Sequence, residues 1–146
     1  MATIFTEKVA VLGAIDPGAH GTGTLGTGYV DMKQFDQLAF VVQVGVFESG
    51  AKVDFKLQEA TSAAGAGVQD LSGKAITQLT AAGTDDDKQV IVVVKASELS
   101  DGYRFVRGLM TISVDAVDSG VLVLGADPRY MPASNFDVST VDEIVY

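Results

Sequence analysis

The alternation of apolar and polar residues is sharpest at positions 52–58, KVDFKLQ. Val53, Phe55 and Leu57 point one way, while Lys52, Asp54, Lys56 and Gln58 point the other. A period of two marks a strand with one buried and one wet face. Residues 36–47, DQLAFVVQVGVF, come just before and are apolar on both sides. Leu38, Phe40, Val42, Val44 and Val46 share one face, and Ala39, Val41 and Phe47 share the other with Gln43. Such a strand lies inside a sheet or meets a partner. Between the two stretches stands Glu48-Ser49-Gly50, whose glycine supplies the positive φ of a tight turn. Residues 36–61 are therefore predicted to form a β-hairpin.

The remaining chain reads as short strands between turn signals. Residues 4–16 alternate loosely, as a first strand or an extended arm, until Pro17-Gly18. Residues 18–28, GAHGTGTLGTG, have the composition of a flexible loop. A short strand at 28–32 leads into the hairpin. After an Ala/Gly loop at 62–67, residues 74–80 alternate again, and AAGTDDDK at 81–88 makes a turn. Consecutive branched residues make QVIVVVK, 89–95, a buried strand. ASEL at 96–99 closes one helical turn, and residues 103–114 form a second long strand. Asp118-Ser119-Gly120 is expected to turn the chain into a buried run at 121–124. DPRYMP at 127–132 is irregular because of its prolines, and the tail 138–146 holds a last short strand.

About eight strands with regularly recurring turns predict an all-β fold. The strands that look buried on both faces favour two packed sheets, an antiparallel β-sandwich of jelly-roll type. The expected layout is an arm or first strand at 1–17, a Gly/Thr-rich loop at 18–28 and a single sandwich domain at 29–146.

Composition narrows the function classes. A chain of 146 residues can bury a core without staples, and with no cysteine it has no disulfide or thiolate chemistry. The net charge of −9 repels phosphate backbones and anionic lipid, so neither nucleic acid nor a membrane is an expected partner. The opening residues, MATIFTE, lack the basic start and apolar core of a signal peptide, which points to synthesis in a cytoplasm. There is no tryptophan to serve as a sugar platform.

The candidate chemical motifs are weak. Gly21–Gly26 spells G-x-G-x-x-G, but a dinucleotide site needs a strand before the pattern and a helix after it, and here Pro17-Gly18 precede it and strand-like residues follow. His20 is the only histidine, too few for a zinc set or a well-placed triad. Asp85-Asp86-Asp87 lack the alternate spacing of a calcium loop. Asp115, Asp118 and Asp127 fall at expected turns, where acids are common without any glycosidase role. No enzyme activity and no cofactor are expected. Arg104 and Arg107 lie three apart on an apolar strand, a placement that fits either an interface or a core strand.

A series of strand motifs in order carries a resemblance. Val30-Asp31-Met32 and FVVQVG at 40–45 are followed by VDFKLQEAT at 53–61 and ITQL at 76–79, then by GYRFVR at 102–107 and RYMP at 129–132. This run resembles small virion proteins of tailed bacteriophages, the head-decoration or cement proteins. The resemblance implies a β-sandwich on the outside of an icosahedral head. It would assemble as a homo-oligomer, often a trimer, and clamp the major capsid protein. Terminal arms touch the capsid or adjacent protomers in such proteins. Ile4, Phe5, Val9, Val11 and Leu12 are the candidate contacts of the arm, with Arg104 and Arg107 as further candidate partner-binding residues. Head–tail joining proteins and carbohydrate- or receptor-binding sandwiches are the alternatives. A sugar groove would have to use Tyr29, Tyr103 and Tyr130.

Overall fold

In the computed structural model, which describes residues 4–133, 136–137 and 139–146, two antiparallel sheets close their apolar faces on one another. A helical turn, α1 (Phe5–Lys8), leads into β1 (Val9–His20). Then come β2 (Gly23–Gly26), β3 (Val30–Asp31), β4 (Phe35–Phe47), β5 (Lys52–Ala60), β6 (Gln69–Ala75) and β7 (Leu79–Thr80). The chain ends its sheets with β8 (Gln89–Lys95), β9 (Phe105–Ser113) and β10 (Val117–Pro128). The four-stranded sheet has the order β1-β10-β4-β8. The other sheet has the order β2-β9-β5-β6, with β3 and β7 as short additions.

This order is that of a jelly roll. The chain is one long ribbon whose arms pair β1 with β10, β2 with β9, β4 with β8 and β5 with β6, and the ribbon is rolled so that successive pairs alternate between sheets. The all-β, antiparallel sandwich expected from the alternation is the fold.

Several local expectations need correction. The turn after Phe47 forms with Gly50 at φ 74°, and the Ala51 amide donates to the Glu48 carbonyl. Yet β4 and β5 belong to different sheets, so residues 36–61 are a crossover and not a hairpin. Stacking the apolar faces of β4 and β5 buries more than pairing their edges would. Residues 18–28, expected as a loop, supply the end of β1 and all of β2; their backbone pairs with residues 117–119 of β10 and with 109–112 of β9. The strand expected over 74–80 is split between β6 and β7.

Residues 118–120 lie within β10 beside a bulge. The tight turn falls earlier, where Val114 has φ 75° and the Asp115 carboxylate accepts the Ala116 amide. β10 continues through Pro128, which pairs with Phe35 beyond the last β1 partner, so no neighbour on that side needs its missing N–H. The tail expected as a strand starts at Val138, which lies outside the described residues. The described part, 139–146, forms no strand: the Asp137 carboxylate accepts from the Ser139 and Thr140 hydroxyls and curls the chain, and the Asp137 amide donates to Val11.

The core is the layer between the sheets. Phe40 of one sheet meets Phe55 of the other, with ring centroids 6.1 Å apart and tilted 48°. Leu38, Val42, Val94 and Val123 close it from the four-stranded side, and Val53, Leu57, Val106 and Met110 from the other, all at 0% exposure. Each such side chain contributes roughly 1.5–3 kcal/mol by leaving water. Gly108 is required in this layer, because a Cβ there would overlap the Phe55 ring and press within 3.1 Å of Phe40.

Candidate interaction face

A sandwich of two sheets has two outward faces, and in this chain they differ in kind. The outside of β2, β9, β5 and β6 is a polar ladder. Lys56 pairs with Asp70 at 3.0 Å, Gln58 donates to the same carboxylate, and Arg107 donates twice to the Gln58 carbonyl at 3.0 and 2.8 Å. The Thr24 and Thr111 hydroxyls meet at 3.2 Å. The amide and Lys56 hold the Asp70 carboxyl below its ordinary range. This surface satisfies itself and suits contact with water.

The outside of β1, β10, β4 and β8 is aliphatic. Strand register sets Ala14, Leu122, Val41 and Ile91 side by side in one row across all four strands. The next row holds Val11, Leu124, Ala39 and Val93. Ile91 is 63% exposed, Val93 42% and Leu122 38%. Polar rows close the patch at either end. Gln43 donates to Gln89 at 2.9 Å on one side, and on the other Gln37 donates to Asp127 at 2.5 Å beside exposed Lys95. Neither aliphatic row contains a charged residue. Together the two rows make a contiguous apolar patch on the outward face of the four-stranded sheet.

Sequence composition explains how the face arises. The runs 38–42, 90–94 and 121–124 are apolar at consecutive positions, and a strand can turn only every second residue inward. The sandwich buries Leu38, Phe40 and Val42, and leaves Ala39 and Val41 on the outside. Residues 89–95, expected as a buried strand, are the outer edge of the sheet, where the odd-numbered side chains face solvent. The run at 121–124 likewise alternates, with Leu122 outward.

The candidate partner residues separate into groups. Val9 and Val11 stand on the aliphatic face, paired with Ala126 and Leu124. Ile4, the N-cap of α1, and Phe5, its first residue, lie just ahead of it, 46% and 69% exposed. Leu12 departs from the row at a bulge and packs inward near Phe35. Arg104 and Arg107 belong to the opposite sheet and are engaged within the chain. Arg104 pairs with Asp31 at 2.8 Å and stacks on Phe105, and Arg107 stacks on Tyr29. Of the tyrosines, Tyr29 carries Arg107 and Tyr103 donates its hydroxyl to Gly67, while Tyr130 is 84% exposed.

The residues with chemical potential serve the fold. His20 Nε2 lies 2.6 Å from the Asp16 carbonyl. Asp85 and Asp86 accept the amides of Thr80 and Phe47, which turns the acidic run into a cap for the 81–88 turn. The G-x-G-x-x-G residues end in β2, with no helix after them. Among the described residues no three His, Cys, Asp or Glu side chains gather as a metal site, and no helix is long and apolar enough to cross a membrane.

One buried polar group escaped sequence reasoning. Glu59 is 1% exposed, and its carboxylate accepts the Ser100 hydroxyl at 2.5 Å, the Ser100 amide at 2.9 Å and the Gln69 amide at 2.7 Å. Burial raises its pKa, but these donors outweigh burial and hold the carboxyl below its ordinary value. The signal was present: Glu59 continues the inward series Val53, Phe55, Leu57.

No protein-family model matches the sequence, and no curated protein matches it. Among solved structures the chain is similar to one in the structure of infectious bursal disease virus, Gx strain, with 11% identity and a TM-score of 0.47 over 86% of this chain and 35% of that one. It is also similar to chains of Triatoma virus. One, in the virus structure, has 9% identity and a TM-score of 0.48 over 90% of this chain and 68% of that one. The other, in the empty capsid, has 10% identity and a TM-score of 0.47 over 90% and 95%. The chain thus spans about a third of the bursal disease virus chain.

Proposed function

We propose that this protein is a structural component of a virus particle, which binds the outside of major capsid protein subunits of a tailed-phage head and stabilises the shell. The observation that carries the reading is the contrast between the two outward faces. One is a self-satisfied polar ladder, and the other is two charge-free rows of aliphatic side chains that only another protein surface would cover. The strand-motif resemblance to head-decoration proteins supplies the virion and its surface as the place, with a trimer as the form on the particle. Ile4 and Phe5, exposed at the start of α1, are the residues assigned to the capsid contact, with Tyr130 and Met131 exposed after β10. An Ala133 amide bond to the Glu7 carbonyl, 2.7 Å long, ties the end of that segment to α1.

Co-sedimentation with empty heads tests this. The intact protein is expected to pellet with heads. Phe5→Ala, at an exposed position, is expected to weaken binding by about tenfold or more with no change in melting temperature. Heads that fail to carry the intact protein down would overturn the reading. Removal of residues up to Gly18 is not a usable test of the arm, since it would strip β1 from the sheet.

A further inference from the structure

We propose that the hollow between the start of β4 and the end of β10 receives an acidic side chain, a glutamate or an aspartate, of the protein on which this chain docks. The inference rests on the reading above, which assigns Tyr130 to that contact, and it names the chemistry of the partner.

The strand ends build the walls. Phe35 pairs with Pro128, and the Arg129 amide donates to the Gln34 carbonyl at 2.9 Å, so the two segments are held side by side. Lys33 stands on the turn ahead of β4, where the Asp31 carboxylate accepts its amide at 2.9 Å. Lys33, Gln34, Phe35, Pro128, Arg129 and Tyr130 line a hollow of about 280 Å³. Buried Phe35 is its floor, and exposed Tyr130 stands at its rim. Sites for whole small molecules run to roughly 300–1,000 Å³, so this one suits a single side chain.

Charge selects the occupant. The chain carries −9 in all, yet the lining holds two cations and no acid. The acids that flank the lining in sequence are engaged elsewhere. Asp31 pairs with Arg104 at 2.8 Å, Asp36 takes the Arg129 Nε at 3.3 Å, and Asp127 accepts from Gln37. The Lys33 ammonium has no ion-pair partner among the described residues. The Asp36–Arg129 pair is exposed and weak, and a guanidinium has further N–H groups to donate. A carboxylate that enters the hollow meets both cations, with its methylene stem against Tyr130 and Pro128. The neighbouring hollow over Lys95 offers no such choice, since Asp36 and Asp127 line it together with Lys95 and Arg129.

The test is a titration of the isotope-labelled full chain with two end-capped peptides, Gly-Leu-Glu-Leu-Gly and Gly-Leu-Gln-Leu-Gly, followed by amide chemical shifts. The glutamate peptide is expected to move the amides of Lys33, Gln34, Phe35, Arg129 and Tyr130. The glutamine peptide should bind about tenfold more weakly. Lys33→Gln, at an exposed position, should shrink that preference with the melting temperature kept. Lys52→Gln, at the other end of the sandwich beside Ser113, should leave it unchanged. Equal binding of the two peptides, shifts confined to other residues, or inorganic phosphate bound as tightly as the glutamate peptide would overturn the inference. If the peptides behave as expected while the intact protein fails to pellet with heads, the site stands and the virion reading fails. If the protein pellets and the glutamate peptide does not bind, the acidic-side-chain site alone fails.

Discussion

Glu59 is where a single side chain holds two parts of the fold together. Its carboxylate sits at the end of β5 and gathers Ser100, from the connection ahead of β9, and Gln69, at the start of β6. Glu59→Gln keeps the shape but loses an ionised acceptor of three donors, and is expected to cost about 1–3 kcal/mol at neutral pH in chemical denaturation. The carboxyl is held below its unfolded value, so its contribution is complete above that value and is lost as the pH falls through the folded one. Asp70, Glu98 and Asp137 are depressed as well, by Gln58, by the Lys95 amide and by Ser139 foremost. Melting temperature should therefore stay level from neutral pH down to the ordinary carboxylate range and fall below it, and the gap between Glu59→Gln and the parent should narrow there. Gly108→Ala places a methyl against two buried rings and should cost about 1–3 kcal/mol in the same measurement. The role of Glu59 could be read from the period of two, because an acid on the Val53-Phe55-Leu57 face has to be satisfied inside. The need for glycine at 108 could not, since Phe40 and Phe55 reach it only through the sandwich.

At the scale of elements, β8 shows how local pattern and strand order part company. Its branched residues fit a strand, which it is, but nothing within QVIVVVK says that the strand has a neighbour on one side only. Val44 donates to the Lys88 carbonyl, so the even-numbered backbone faces β4 and the odd-numbered backbone faces outward. Lys74 guards that edge. Its ammonium donates to the Val93 carbonyl at 2.8 Å and pairs with Glu98 at 3.1 Å. A charge over an apolar edge strand blocks further strand addition. Lys74→Ala is expected to leave the fold intact and to speed aggregation on gentle heating, followed by turbidity; unchanged turbidity would mean the edge is protected by other means. The crossover at 48–51 carries a similar lesson. Its glycine and turn residues have the same chemistry whether the next strand pairs with the last or passes to the opposite sheet, so the turn was legible and its destination was not.

For the molecule as a whole, the sandwich class followed from how many strands are apolar on both sides, while the jelly-roll order rests on pairings as distant as β1 with β10. The unequal outward faces, on which the proposed function rests, were half legible. The surplus of apolar residues in 38–42 pointed to a strand inside a sheet or against a partner, but only the register of four strands gathers Ile91, Val41 and Leu122 into one row. On the proposed reading, the chain is covered by its neighbours on a particle. Imaging heads incubated with the protein, at a resolution that separates strands, tests this most directly. The expected map has jelly-roll density on the outer surface of the shell, with α1 against the capsid and the aliphatic face covered by protein. Bare heads, or bound protein with the aliphatic face open to solvent, would contradict it.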